Sequence, residues 1–347
     1  MNMWDRGRQM AEENRRRYPV GTRIELIRMG EDPRPVPPGT RGTVVYTQSA
    51  CNEKRGAYVN SFMSWVGGKK ALRDEIVVRF PIKYSRYIEV FGGGGWVLFH
   101  KPPGRDFEVY NDFNPNLTNL YRCVREYPNE LRDELTFTLN SRLDFDYVKM
   151  MLKTRTELPD IKRAAYFYQI IRQSYASGLD SFASQPHSMW NNFPLIYAAC
   201  ERLQRVVVEN KDFEALIKQY DRPESFFYCD PPYFATEDYY ENVDFKPTDH
   251  ERLAECLYRM GGKFLLSYND CPEIRLLYSK PGIYIEKTSR LSNIAQRYEA
   301  GKQYPELLIA NYDTAEWYSR CGQISLLDYL TETNTEFLKG RKIIWAP

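Results

Sequence analysis

The stretch Tyr87-Ile88-Glu89-Val90-Phe91-Gly92-Gly93-Gly94-Gly95-Trp96-Val97-Leu98-Phe99-His100 decides the fold. Its first five residues read as a short apolar strand, the glycines as a sharp turn, and Trp96 to His100 as a helix start. A second strand, Phe107 to Tyr110, ends at Asn111-Asp112. Strand, glycine turn, helix, strand and acid form the βαβ unit of a nucleotide-binding sheet. Further strands are expected at Arg205 to Glu209, Ser225 to Cys229, Lys263 to Tyr268, Gly282 to Glu286 and Glu306 to Tyr312. Between Leu117 and Leu203 the pattern turns helical: Ile161, Ala164, Ala165, Tyr168 and Ile171 recur at helical spacing. The fold class predicted is α/β, a Rossmann-like sheet with helices on both faces and an inserted helical domain.

Working outward, residues 1 to 58 look like a separate module. A charged, helix-like start (Asp5 to Arg17) leads to a short alternating strand, Arg23 to Ile27, a Pro-rich turn through Pro38, and a second strand, Gly42 to Tyr46. Two strands joined by a Pro/Gly connection suggest a small β-unit. The expected division is therefore 1–58 as a β-rich accessory module, 59–119 and 206–313 as the sheet domain, 120–205 as the helical insert, and 314–347 as an amphipathic tail around Ile324 to Leu330.

Composition bounds the function less than the motifs do. With 347 residues, 43% hydrophobic and 27% charged, the chain can bury a large core. No run approaches the ~18 apolar residues that would cross a bilayer, and the charged N-terminus has no signal-peptide character, so a cytoplasmic location is expected. The net charge of +2 does not announce a nucleic-acid binder. It is uneven, however, with 11 Lys/Arg against 7 Asp/Glu in the first 60 residues. Seven cysteines fit reduced thiols better than a disulfide framework, and three scattered histidines argue against a zinc site, so no metal is expected.

Three features carry chemistry. Asp112 lies 20 residues after Gly92, where an acid closing a second strand can accept both hydroxyls of a ribose. The dinucleotide fingerprint fails at Val97, and no Gly-Lys-Ser/Thr follows to cradle phosphates, so the ligand has a ribose without a pyrophosphate. S-adenosylmethionine meets that description; a tight turn followed by an exposed Asp is the plainer reading. Phe227-Tyr228-Cys229-Asp230-Pro231-Pro232-Tyr233 is the second feature. Two prolines end the strand in a rigid, extended turn, in which the Asp230 carboxylate and the Pro231 carbonyl can accept from one NH₂ group while Tyr233 offers a stacking face. The third, Ser64-Trp65-Val66-Gly67-Gly68-Lys69, could alone be a helix start with a buried indole.

Taken in order, these motifs resemble the Dam-type, α-group family of DNA adenine methyltransferases, from about Phe62 to Asp313. Further matches are Asn111-Asp112, Asp212-Phe213, Leu266 to Asp270 and Glu306-Leu307-Leu308. The resemblance implies a methyltransferase acting on a flipped-out adenine in double-stranded DNA, as a monomer or weak dimer of the kind found in bacteria and their phages, with or without a restriction partner. It implies that Trp65, Gly67 and Lys69 contact S-adenosylmethionine, that Phe91, Gly92 and Gly94 line its methionine part, that Asp112 takes the ribose, and that Asp212 and Phe213 hold its adenine. Asp230, Pro231, Pro232 and Tyr233 would receive the target base, and the helical insert would read the DNA. GATC-methylating members carry Lys where this chain has Ser64, and their Asn-Arg-x-x-x-Asn-Gly-Leu becomes Arg172 to Leu179 here, so a target other than GATC is expected. Arg172, Gln173 and Ser177 are candidate base readers, or else an ordinary polar helix end. Lys287, Arg290 and Arg297 would clamp phosphates from a basic loop, or simply be solvated. A cytosine amine as target and a catalytically silent DNA-binding module stay open as alternatives. The N-terminal "PVPPGTRGTV" resembles a small domain of unknown function from phage-related proteins.

Overall fold

The computed structural model describes residues 23–25, 41–43, 59–155, 157–185, 188–234, 245–291 and 303–315. The chain forms two compact units, one of residues 57–314 and one of 1–56 with 315–347. In the latter, β1 (Arg23–Glu25) pairs antiparallel with β2 (Arg41–Thr43), Ile24 opposite Gly42. Each expected strand has a described counterpart here, and residues 26–27 and 44–46 lie outside the described residues. The charged N-terminal helix and the amphipathic tail lie outside the described residues.

The larger unit runs α1 (Arg73–Val78), β3 (Arg86–Glu89), α2 (Trp96–His100), β4 (Phe107–Asn111), α3 (Pro115–Glu126), α4 (Pro128–Thr136), α5 (Arg142–Thr154), α6 (Asp160–Gln173), α7 (Phe193–Leu203) and β5 (Val206–Glu209). It continues through α8 (Phe213–Tyr220), β6 (Ser225–Cys229), α9 (Pro247–Arg259), β7 (Lys263–Asn269), α10 (Pro272–Leu277), β8 (Tyr284–Leu291) and β9 (Gln303–Ala310). Every strand read from the sequence exists. The last two shift: β8 begins at Tyr284 and runs to Leu291, and β9 begins earlier and ends at Ala310.

The seven strands lie in the order β5-β4-β3-β6-β7-β9-β8. The first five are parallel, and β9 inserts antiparallel to both β7 and β8. Chain order runs outward from β3 to β5 on one flank and from β6 onward on the other. The reversal between β3 and β6 opens a crevice above their carboxyl ends, the usual ligand position in such sheets.

Parallel strands covered on both faces read as nearly continuous apolar runs, and all five residues of β6 are buried. Alternation then sorts them. Phe226 and Tyr228 enter one core with residues of α2, α3, α6 and α7, while Phe227 and Cys229 enter the other with α8, α9 and α10. The helical segment between β4 and β5 thus shares its core with the sheet. Ala164, Ala165, Tyr168 and Ile171 of α6 are buried there, as the spacing predicted, and the Tyr168 hydroxyl donates to the Phe62 carbonyl at 2.8 Å. Phe145 and Val148 of α5 form a small satellite with Ile170.

Candidate active site

Three strand ends build the site. After β3 the chain turns through Gly92 to Gly95, with Gly93 and Gly95 at φ of 49° and 64°, a left-handed region that side chains disfavour. A second constraint comes from aromatic neighbours. A Cβ at Gly92 would stand 2.2 Å from the Tyr110 ring, and one at Gly93 would stand 2.8 Å from Trp65. The glycines are therefore required by the protein's own rings. After β4, Asn111 donates to the carbonyls of Val90 and Lys211 and accepts from the Lys211 N–H, which ties three strand ends together. The next residue, Asp112, accepts from the N–H groups of Gly93 at 2.9 Å and Asn114 at 2.8 Å. After β6, Pro231 and Pro232 are buried and aim Asp230 into the crevice.

The resulting pocket is walled by Trp65, Phe91, Trp96 and Phe113, floored by glycines, and bears the acids Glu89, Asp112 and Asp230. Lys69 is the one basic residue among the described residues that line it. The Lys69 ammonium lies 2.6 Å and 2.8 Å from the two Asp230 oxygens, donates to the Gly67 carbonyl at 2.9 Å, and sits 4.8 Å from the centre of the Tyr233 ring. The Lys69 side chain is 3% exposed and that of Asp230 16%.

Electrostatics distinguish the other two acids. Burial pushes the Glu89 carboxyl up to about 8; the Tyr87 hydroxyl, donating at 2.6 Å, opposes the shift and the nearby Asp230 charge adds to it. Burial also raises Asp112, to about 6, against the pull of its two backbone N–H donors. An acid-rich, aromatic-walled pocket with raised carboxyl pKa values is suited to a cationic ligand.

Trp65, Gly67, Lys69, Phe91, Gly92, Gly94, Asp112, Asp230 and Pro232 are brought together. Asp212 and Phe213 stand one layer behind. Phe213 packs at 5.7 Å on Phe91, and Asp212 caps α8 while its carboxylate is held by Arg252, whose guanidinium also lies 4.1 Å from the Phe213 ring. Glu89 and Trp96 were not among the residues singled out from the sequence. For Glu89 a signal existed: an acid in the middle of an apolar strand is costly unless it has a task.

The candidate DNA-reading segment forms a hairpin-like turn after α6. Ser174 bridges to Phe182, and Ser177 and Leu179 adopt left-handed backbone, at φ of 58° and 65°. Gln173 is buried, its Nε2 donates to the Leu139 carbonyl at 2.7 Å, and its Oε1 accepts from Gln169, so both ends of its amide are engaged within the protein. Arg172 is half-buried and Ser177 half-exposed. Lys287 is exposed and lies 3.4 Å from Asp270. Arg290 lies on β8, and Arg297 lies outside the described residues. Among the described residues, no three His, Cys, Asp or Glu side chains gather to hold a metal, and no helix is long and apolar enough to cross a membrane.

The model of the D12 class N6 adenine-specific DNA methyltransferase family matches residues 65–294. The chain belongs to that family. It is similar to the Type II methyltransferase M1.LlaDCHI of Lactococcus lactis subsp. cremoris, 27% identical over 284 residues that cover 75% of this chain and 98% of that protein. The Type II methyltransferase M.MjaIII of Methanocaldococcus jannaschii is 28% identical over 60% of this chain and 84% of its own length. A DNA N-6-adenine-methyltransferase of Escherichia phage P1 is 26% identical over 69% of this chain and 35% of its own. Membership in an adenine-specific enzyme family decides against cytosine and against a silent binding module. Residues 4–50 match a domain of unknown function, DUF4314.

Proposed function

We propose that this methyltransferase uses S-adenosylmethionine and methylates the 6-amino group of an adenine turned out of duplex DNA, with cofactor and base meeting in the crevice above β3, β4 and β6. One observation carries the reading: an amine, that of Lys69, already lies against the Asp230 carboxylate and over the Tyr233 ring. An adenine stacked on Tyr233 would present its own amine to the same carboxylate.

The residues present suit the cofactor. Asp112, held by two backbone donors, has lone pairs left for ribose hydroxyls, and the acid Glu89 answers its positive charge. Trp65, Phe91 and the glycine turn would enclose the methionine part, while Phe213 and Asp212 would back the adenine end. When bound, S-adenosylmethionine supplies a methyl group activated on a sulfonium. The chain's task is positioning and charge. The adenine amine is a poor nucleophile because its lone pair is shared with the ring. Hydrogen bonds from that amine to Asp230 and to the Pro231 carbonyl draw the nitrogen toward tetrahedral geometry and stabilise the positive charge that develops on it. Lys69 yields the carboxylate as the base enters and remains its neighbour. Arg172 at the end of α6 and Ser177 on the turn that follows are the candidates for reading bases, and Lys287, Arg290 and Arg297 for phosphates; a target other than GATC is expected.

The test is transfer of labelled methyl groups to unmethylated duplex DNA, followed by nucleoside analysis. N6-methyladenine is expected, and Asp230→Ala should abolish it while calorimetry still shows cofactor binding. A wild-type protein that binds cofactor and labels no DNA would overturn the reading.

A further inference from the structure

Prolines fix the backbone of the catalytic turn only as far as Pro232. The next residue, Tyr233, has two rotatable side-chain bonds, yet a ring that receives a base accelerates reaction only if it is already in place. The structure holds it from the far flank of the sheet. The Tyr233 hydroxyl donates to Glu306 Oε2 at 2.8 Å, and Glu306 is 1% exposed. One residue on, the Phe234 N–H donates to Asn269 Oδ1 at 3.1 Å, while Asn269 Nδ2 donates back to the Phe234 carbonyl at 3.2 Å.

Asn269 and Glu306 are directly opposed in the antiparallel ladder of β7 and β9. One rung of the sheet thus grips two consecutive loop residues, one by its side chain and one by its backbone. The direction of β9 makes this possible, because its early residue Glu306 arrives at the carboxyl end of β7, beside the loop. A carboxyl group next to the apolar run Leu307-Leu308-Ile309 costs free energy when buried, unless its hydrogen bonds are made.

We propose that Asn269 and Glu306 are positioning residues for methyl transfer, which set the Tyr233 ring at the angle on which the target adenine stacks. The inference rests on the function proposed above. Neither residue lines the pocket, so their effect falls on the chemical step and not on cofactor affinity.

The experiment measures single-turnover methyl transfer and calorimetric cofactor binding for the full chain and four variants. Tyr233→Phe keeps the ring and removes only the hydroxyl; Glu306→Leu keeps the volume and removes the acceptor; Glu306→Gln restores an acceptor; the fourth combines Tyr233→Phe with Glu306→Leu. Each single loss should slow transfer about tenfold, the size expected for one lost hydrogen bond to a carboxylate, with cofactor affinity within about twofold. The combined variant should be no slower than either single one, and Glu306→Gln should return most of the rate. A Tyr233→Phe protein at the wild-type rate, or losses that multiply in the combined variant, would overturn the inference while leaving the function intact. Should Glu306→Leu fail to fold, Tyr233→Phe decides alone. An inactive wild type would overturn the function and this inference together.

Discussion

The two ends of the same sheet treat buried charge in opposite ways. At the amino ends, Glu108 is held by both Arg202 nitrogens at 2.7 Å and by Lys101 at 3.0 Å, and these cations keep its carboxyl below the usual range despite burial. At the carboxyl ends, Glu89 and Asp112 are buried without comparable cations among the described lining residues, and both titrate high. One cluster pairs its acid with cations of the fold itself. The other is left acidic, and a positively charged cofactor would complete it.

Mutation should separate the two ends. The largest expected effect is on chemistry: Asp230→Ala should lower methyl transfer by at least about 10²–10³-fold, the usual loss when an electrostatic partner of the transition state is removed. Rapid-quench assays on the folded variant would measure it. At the other end, Arg202→Met should spare the chemistry and destabilise the protein by about 3–5 kcal/mol, because it strands a buried carboxylate. Urea unfolding would show this, and an unchanged midpoint would contradict the contrast.

Proton balance sharpens the comparison further. With Glu89 at about 8, this carboxyl is mostly protonated at pH 7 before the cofactor binds. A cation beside it favours the ionised form, so binding should release protons, seen as a heat that changes with the ionisation enthalpy of the buffer. Proton uptake would place the positive charge elsewhere. A last effect concerns stability without ligand. A carboxyl pKa raised by folding contributes stability that is fully present below the unfolded value of 4.5 and is lost as pH rises through about 8. Stability should therefore decline across that window, and Glu89→Gln should flatten the decline.

Much of this was legible in the sequence because local patterns there agree with the tertiary structure. The strand-glycine-strand-acid order placed Asp112, and two prolines after a hydrophobic strand placed Asp230. What escaped reading were relations across the sheet. That Gly92 answers to Tyr110, that Gln173 turns inward to Gln169 and Leu139, and that Glu306 meets Tyr233 depend on pairings between segments distant in sequence. Periodicity also marks a helical stretch without telling whether it stands apart. The helices between β4 and β5 join the core of the sheet through residues such as Tyr168 and Phe167, the latter 6.0 Å from Trp65 at the pocket.

The most direct measurement is to express the protein in a bacterium lacking DNA methylation and read its DNA by single-molecule sequencing that senses modified bases. Modified adenines confined to one short motif are predicted, and they should vanish with Asp230→Ala. Modified cytosines, or unmodified DNA from a folded protein that binds S-adenosylmethionine, would contradict the account.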